Sequence, residues 1–426
     1  MKCIGILRVV VCASLVSAAW GQPTPSVSKR SFPHHRALKV LPTSPGTESN
    51  RSIAAQAVAG AQNTVWELGT YPGGTWATMG DVNDFGVAVG QGDLPDGSTH
   101  PLAVPLFGPR AGKWIDLGTL GGTSSGWEEG FITISDTSVI VGESATVDQN
   151  RVHGFVWTEK SGIVDLGTLA DIGYPTYNSS YAYGVNKLGT LIVGWSGIEQ
   201  SCLLCAPTVP VVWTPSVTWK NGRPVTGWKI QKLDTDGFDE MTHWYAWAVN
   251  DVGQIVGEGS NSEGNFAGVL WTPLPNGKGW KLTELPVLAG YPVSEPFNIS
   301  DRGEISGDLE PADFSVWIPA YWKPLDPLRK KYSPPNVLAM PEGSTICYTD
   351  GINELGDMTG ECWGGAYDRA VRWTTKDPTF SQFIDLGDWS WSFRVNNNRI
   401  AVVTYGGGNT CPADTYGSCG GAVQLH

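Results

Sequence analysis

Carboxylates and aromatic side chains crowd one short stretch, "FDEMTHWY" (238–245), which holds Asp239, Glu240, His243, Trp244 and Tyr245. Two carboxylates flanking a glycosidic bond can divide acid, base and nucleophile work between them. Aromatic planes beside hydrogen-bond acceptors suit the apolar faces and hydroxyls of a neutral sugar. One segment supplies one catalytic group, so its partner must come from elsewhere; Asp236, Glu128 and Glu129 are the candidates. Aromatics of the same kind are Trp76, Trp127, Tyr174, Tyr177, Tyr181, Tyr183, Trp389 and Trp391, with the acids Asp171, Glu295 and Asp350 in equivalent stretches. The same aromatics can instead cap a core beneath long loops. The elements that carry them decide between the two.

Those elements repeat. Glycine-terminated stretches recur as "VNDFGVAVG" ending at Gly90, "ISDTSVIVG" at Gly142, "VNKLGTLIVG" at Gly194, "VNDVGQIVG" at Gly257, "ISDRGEISG" at Gly307 and "INELGDMTG" at Gly360. A degenerate seventh copy is "VNNNRIAVV" at 395–403. Each reads as a hairpin: an apolar-alternating strand, a turn built on Asn or Asp with Gly at the left-handed position, then a second strand. A third strand ending in an aromatic follows, as in "HGFVW" (153–157), "VPVVW" (209–213) and "FAGVLW" (266–271). A fourth is carried by "WIDLG", "IVDLG", "WKIQKLD", "WKLTELP", "NVLAM" and "FIDLG". Four short strands per unit of about fifty residues predict an all-β chain folded as a seven-bladed β-propeller.

The repeat region opens on a lone fourth strand, "VWELGT" (65–70), and closes on a lone third, "GAVQLH" (421–426). The N-terminal outer strand is therefore expected to complete the last blade and close the ring, which leaves few open sheet edges. Trp157, Trp213, Trp271, Trp322 and Trp373 end third strands and are expected between blades. The off-register aromatics and acids fall in the connections from one blade's outer strand to the next blade's inner strand. Such connections converge on one face around the central channel.

Residues 1–21 read as a secretory signal, with Lys2 and Arg8 before the apolar run Val9–Ala19 and small residues after it. Residues 22–64 are a Pro/Ser-rich linker or pro-segment, and 65–426 form the propeller. The formal net charge is −13, and Glu48 is the only acid before Val65, so the folded part is more acidic still. That overall field disfavours nucleic acid and anionic lipid. Six cysteines remain after the signal, and in an exported chain they are expected as three local staples, Cys202–Cys205, Cys347–Cys362 and Cys411–Cys419. Scattered histidines without ligand spacing predict no metal, and the absence of nucleotide-binding motifs predicts no cofactor. His100 and His153 sit at equivalent third-strand positions and read as blade residues. The Asn-Asp-x-Gly turns are too short for calcium loops.

The combination of "DLGTLGG", "VNDxGxxVG" and "HGFVW" resembles the HAF-repeat family of extracellular proteins, most clearly over 114–170. His153-Gly154-Phe155 is the nearest copy of the naming triplet; Phe266-Ala267-Gly268 and Arg369-Ala370-Val371 depart from it. The resemblance implies an exported repeat protein and no particular reaction. The reading is a secreted, monomeric binding module: a neutral glycan or an extracellular protein is held by Trp76, Trp127, Tyr181, His243, Trp244, Tyr245, Trp389 and Trp391. The alternative is a glycoside hydrolase, less readily a polysaccharide lyase, that uses a pair drawn from Asp236, Asp239, Glu240, Glu128 and Glu129.

Overall fold

The computed structural model describes residues 64–426 except 126–130, 148–150, 199–206, 221–222, 239, 261–265, 276, 365–366, 385–389 and 407–417. The expected signal and nearly all of the Pro/Ser-rich segment lie outside the described residues. What is described is an all-β propeller of short antiparallel meanders. One four-stranded sheet runs Ser179–Val185, Ile192–Gly197, Thr208–Lys220, Arg223–Lys232; the next runs His243–Val249, Ile255–Ser260, Phe266–Pro273, Trp280–Glu284. Two more begin at Val293–Ile299 and Ile346–Ile352. In the last, Val65–Gly69 from the N-terminal end takes the outer place beside Ser418–Gln424, through Val65↔Val423.

In place of seven separate blades, the structure has five four-stranded sheets and one of nine strands. Strand Gly121–Ser125 makes the fusion. It pairs parallel with Thr99–Pro105 at Thr99↔Ser124 and antiparallel with Ile140–Thr146 at Gly121↔Thr146. The Gly-Gly pair permits this approach, because a Cβ on Gly122 would lie 2.6 Å from the Ala145 backbone oxygen. A second departure concerns "FIDLG": the outer strand beside Tyr367–Thr374 is Asp377–Phe383, one turn earlier in the chain.

The turns behave as their residue types dictate. In Asn83, Asn186, Asn250, Asn353 and Asn396, the side-chain oxygen accepts backbone N–H groups two to five residues on, which ties each turn locally. Gly86, Gly189, Gly253, Gly303 and Gly356 take the left-handed position, and the two copies without glycine hold Ser138 and Arg399 there at φ 61 and 60. The turns also bind one another. Asn83 Nδ2 donates to Ser135 O (3.1 Å), Asp136 N to Lys187 O (3.0 Å) and Asn186 Nδ2 to Asp251 Oδ1 (2.9 Å). Asn250 Nδ2 then donates to Ser300 O (3.0 Å), Asp301 N to Glu354 Oε1 (2.8 Å) and Asn353 Nδ2 to Asn396 O (2.8 Å). Asn396 Nδ2 donates back to Asn83 O at 2.8 Å.

Farther out, tryptophans stitch each sheet to the one before. Trp213, Trp271, Trp322 and Trp373 are fully buried, and their indole N–H groups donate to Leu166 O, Asp234 O, Pro286 O and Ala339 O. The "DLG" repeat is explained at the same level. Asp116 and Asp165 each accept the N–H of the glycine two residues on, which is held at positive φ, while Leu117 and Leu166 point into the core. The same carboxylates meet third-strand histidines, His100 Nδ1 at 2.6 Å and His153 Nδ1 at 2.8 Å. Cys347 and Cys362 face each other across one hairpin and form a disulfide. Cys419 is also disulfide-bonded. Cys202, Cys205 and Cys411 lie outside the described residues.

Candidate functional site

The inner strands position side chains on the axis through a repeated β-bulge. Pairing slips at Gly80, Tyr183, Trp247, Phe297 and Asp350, each three residues before the Asn or Ser of its turn. The extra residue is left out of the ladder, so its side chain turns into the central channel. With Phe131, Thr133, Phe393 and Arg394, these residues line a residual cavity of about 30 Å³, room for a water or two.

Aromatics fill the space beside it. Tyr183 stacks on Trp195 at 4.3 Å between centroids, Tyr181 on Trp195 at 5.1 Å and Tyr245 on Trp247 at 5.4 Å, while Tyr245 meets Trp195 edge-on at 4.8 Å. Tyr181 and Tyr245 are therefore packing groups, at 5% and 3% exposure. Burial, aided by the Glu258 charge, pushes the Tyr245 hydroxyl well above its ordinary pKa. Trp244 points the other way, into the core between sheets, against Trp271 and Phe238. His243 is buried too, with Nδ1 3.0 Å from Thr242 Oγ1. The sugar platform expected at 243–245 is thus corrected to core: strand alternation sends these side chains alternately to the axis and to the neighbouring sheet, leaving none facing solvent.

A charged group shares the channel. Arg394 lies with Asp81 and Asp350 and donates to the Asp350 backbone oxygen. Burial raises the Asp81 carboxyl, opposed by Arg394 and by N–H donors from Ile134 and Val82. Burial likewise lowers Arg394, opposed by the two aspartates.

Asp236 and Glu240 are exposed. Asp239, Glu128, Glu129, Trp127 and Trp389 lie outside the described residues. Trp76 and Trp391 are half-buried, so part of each ring remains accessible, and Tyr174 is 42% exposed with Lys232 over its ring. A carboxylate cluster does form elsewhere. Glu295, Asp308 and Glu310 each bring an oxygen to within 4.8 Å of the others, and all three are buried. Glu295 was among the expected acids; Asp308 and Glu310 were not. A signal for the latter exists in the sequence, since an acid follows the second-strand glycine in Glu143, Glu258, Asp308 and Glu361. The channel residues were also marked, by their fixed distance from each turn.

No family model matches the sequence, and no curated protein matches it. Solved structures resemble it at low identity. A Trypanosoma rangeli sialidase is 13% identical, with 83% of this chain covered and a TM-score of 0.39. The chain spans only 55% of that sialidase. A protein of unknown function from Dyadobacter fermentans is 10% identical, covering 86% of this chain and 98% of its own, at a TM-score of 0.37. A mutant of AofleA from Arthrobotrys oligospora is 12% identical over 76% of this chain and 90% of its own, also at 0.37. Likeness at this level carries no argument about activity.

Proposed function

We propose that the chain is a secreted, seven-bladed propeller of the HAF-repeat kind that binds a neutral glycan, or an exported protein presenting one, at the end opposite the Asn-Asp turns. Seven blades follow if the nine-stranded sheet is divided at Gly121–Ser125 into two repeats. Support for a closed ring comes from the turn-to-turn hydrogen bonds that return from Asn396 to Asn83. The observation that carries the binding reading is the accessible aromatic surface left on that end by Trp76, Tyr174 and Trp391, beside the exposed acids Asp236 and Glu240. Half-buried rings offer a fixed plane for stacking, and exposed carboxylates offer acceptors to sugar hydroxyls.

The alternative, a glycoside hydrolase, draws on a different observation: Glu295 and Asp308 stand directly across a strand pair, close enough for a retaining pair of carboxylates. Their burial requires the overlying loops to move before substrate could reach them. One experiment separates the readings. Neutral oligosaccharides should bind without turnover, and Trp391→Ala should weaken binding roughly thirtyfold, as for the loss of about 2 kcal/mol from a stacked aromatic. Turnover that disappears in Glu295→Gln would establish the hydrolase instead, and silence across a broad neutral panel would defeat both.

A further inference from the structure

The two ends of the molecule differ in kind. In an antiparallel meander, the first-to-second and third-to-fourth connections emerge at the same end, so the Asn-Asp turns share a face with the four-strand hairpin tips. Among the described residues, ten of the sixteen exposed large apolar side chains lie on this one face. Phe85, Leu188 and Val252 occupy the third position of three of the turns, at 74%, 55% and 51% exposure. Leu325 and Leu328 crown one third-to-fourth connection, at 66% and 70%.

The hairpin Thr208–Lys220 with Arg223–Lys232 reaches farther than any other. Its inner neighbour pairs with it only as far as Trp213, and cross-strand pairing continues beyond the blade to Lys220↔Arg223. Val217 and Trp219, two residues apart on one face of this arm, are 60% and 71% exposed.

Charge follows the same division. Beyond Trp213 the arm contains Lys220, Arg223 and Lys229 and no acidic residue, while Lys232 lies back within the blade, over the Tyr174 ring. The connection 323–332 carries Lys323, Arg329, Lys330 and Lys331 against a single acid, Asp326, whose oxygens are taken by three backbone N–H groups. The turn acids are similarly committed. Asp84, Asp251, Asp301 and Glu354 accept hydrogen bonds from neighbouring turns, and Lys187 sits 3.4 Å from Glu354 and 4.0 Å from Asp84. Hydrogen bonding leaves those carboxylates charged, so the turns themselves are acidic, and the positive field of this face is confined to its periphery, at the arm and at connection 323–332. The chain's net charge of −13 averages over it and hides it.

We infer that this face docks on an anionic lipid surface. Basic residues among singly projecting Trp, Phe and Leu side chains match a headgroup layer that supplies negative charge and yields to apolar insertion at several separated points. A second copy of the chain fits less well: its opposite end is acidic, but projections spread over separate blades would need matching pockets. No helix among the described residues is long and apolar enough to cross a membrane.

The test is flotation of the full chain with phosphatidylcholine vesicles, with and without phosphatidylglycerol. Binding is expected only with phosphatidylglycerol and should fall steeply with salt. Arg223→Gln and Lys330→Gln should each weaken it about fivefold, the effect of one basic residue near such a surface. Trp219→Ser should weaken it further, with urea unfolding unchanged because the side chain is exposed. Failure to float with anionic vesicles at low salt overturns the inference, as does equal flotation with pure phosphatidylcholine. Concentration-dependent self-association without lipid, lost in Trp219→Ser, would overturn it in favour of a second copy. None of these outcomes bears on glycan binding at the other end.

Discussion

Replacing Asn396 with alanine removes two hydrogen bonds at the seam between the last repeat and the first. Its Nδ2 donates to Asn83 O at 2.8 Å, and its Oδ1 accepts from Ile400 N at 2.8 Å. A typical hydrogen bond contributes about 1 kcal/mol net, and a buried partner left unpaired adds its own desolvation penalty. Asn396, Asn83 and Ile400 are all buried, so water cannot replace the lost partner without opening the turn. The expected loss is about 3 kcal/mol. Asn398→Ala is the control: its Nδ2 donates to Asp84 O in the same seam, but at an exposed position where water takes over, so it should cost below about 1 kcal/mol. Urea unfolding with a common slope reads both values. Equal cost for the two substitutions would refute the reasoning, because it would mean that the buried bridge from Asn396 to Asn83 does not hold the two ends of the chain together.

Two groups lose their contribution to stability in the same direction, as pH rises, for different physical reasons. Burial pushes the Asp368 carboxyl up to about 6, so the folded chain holds its proton more tightly than the unfolded chain does. Its contribution to stability therefore declines as pH rises from about 4 to about 6. Asp368→Asn should be more stable than the parent at pH 8, by at most about 3 kcal/mol, and no more stable at pH 4; a pH-independent difference would contradict this. For His153, burial pulls the pKa down, but the hydrogen bond and charge of Asp165 more than offset it, and the net shift is upward. That stabilisation is complete below the unfolded value and is lost as pH rises through the folded one. His153→Gln should flatten the fall in thermal midpoint between about pH 6 and about pH 8, and an unchanged slope would remove Asp165 as its cause.

The repeat was legible because its signals are local. An Asn or Asp turn with a left-handed glycine, an aromatic closing the third strand and "DLG" closing the fourth each report on chemistry within one hairpin. Cys347 and Cys362 were legible for the same reason, being symmetric about one turn. What the pattern could not show is direction across sheets. "HWYAWAV" reads as a run of candidate binding aromatics, yet Trp244 and Ala246 face the neighbouring sheet while Tyr245 and Trp247 face the axis. The bulge that turns Trp247 inward appears only in the pairing register. Nor does a sequence separate Asp116 as a turn acceptor from Asp116 as the partner of His100; it is both. The fusion of two repeats by Gly121–Ser125 was hidden because a Gly-Gly-Thr-Ser-Ser stretch has no strand signature of its own.

This division between local and transverse signals constrains where function can lie. The asparagines and left-handed glycines of the turns, the third-strand tryptophans and the "DLG" aspartates are occupied with holding a turn, a sheet interface or an outer strand. On the axis, among the described residues, the bulged Tyr183, Trp247 and Phe297 border a cavity of about 30 Å³. A propeller with an open channel can work on a ligand from the wall; here the described aromatic wall residues pack against one another, and the charged groups among them are Arg394 with the two carboxyls of Asp81 and Asp350. The two proposed binding surfaces lie at the ends, where the repeats depart from one another: half-buried rings and exposed acids at one, a long basic hairpin and projecting apolar side chains at the other. The hairpin is the clearest departure. No structural demand of the blade requires Trp213 to be followed by another full turn of paired strand ending in an exposed tryptophan, so its length and its composition are best understood through what it touches.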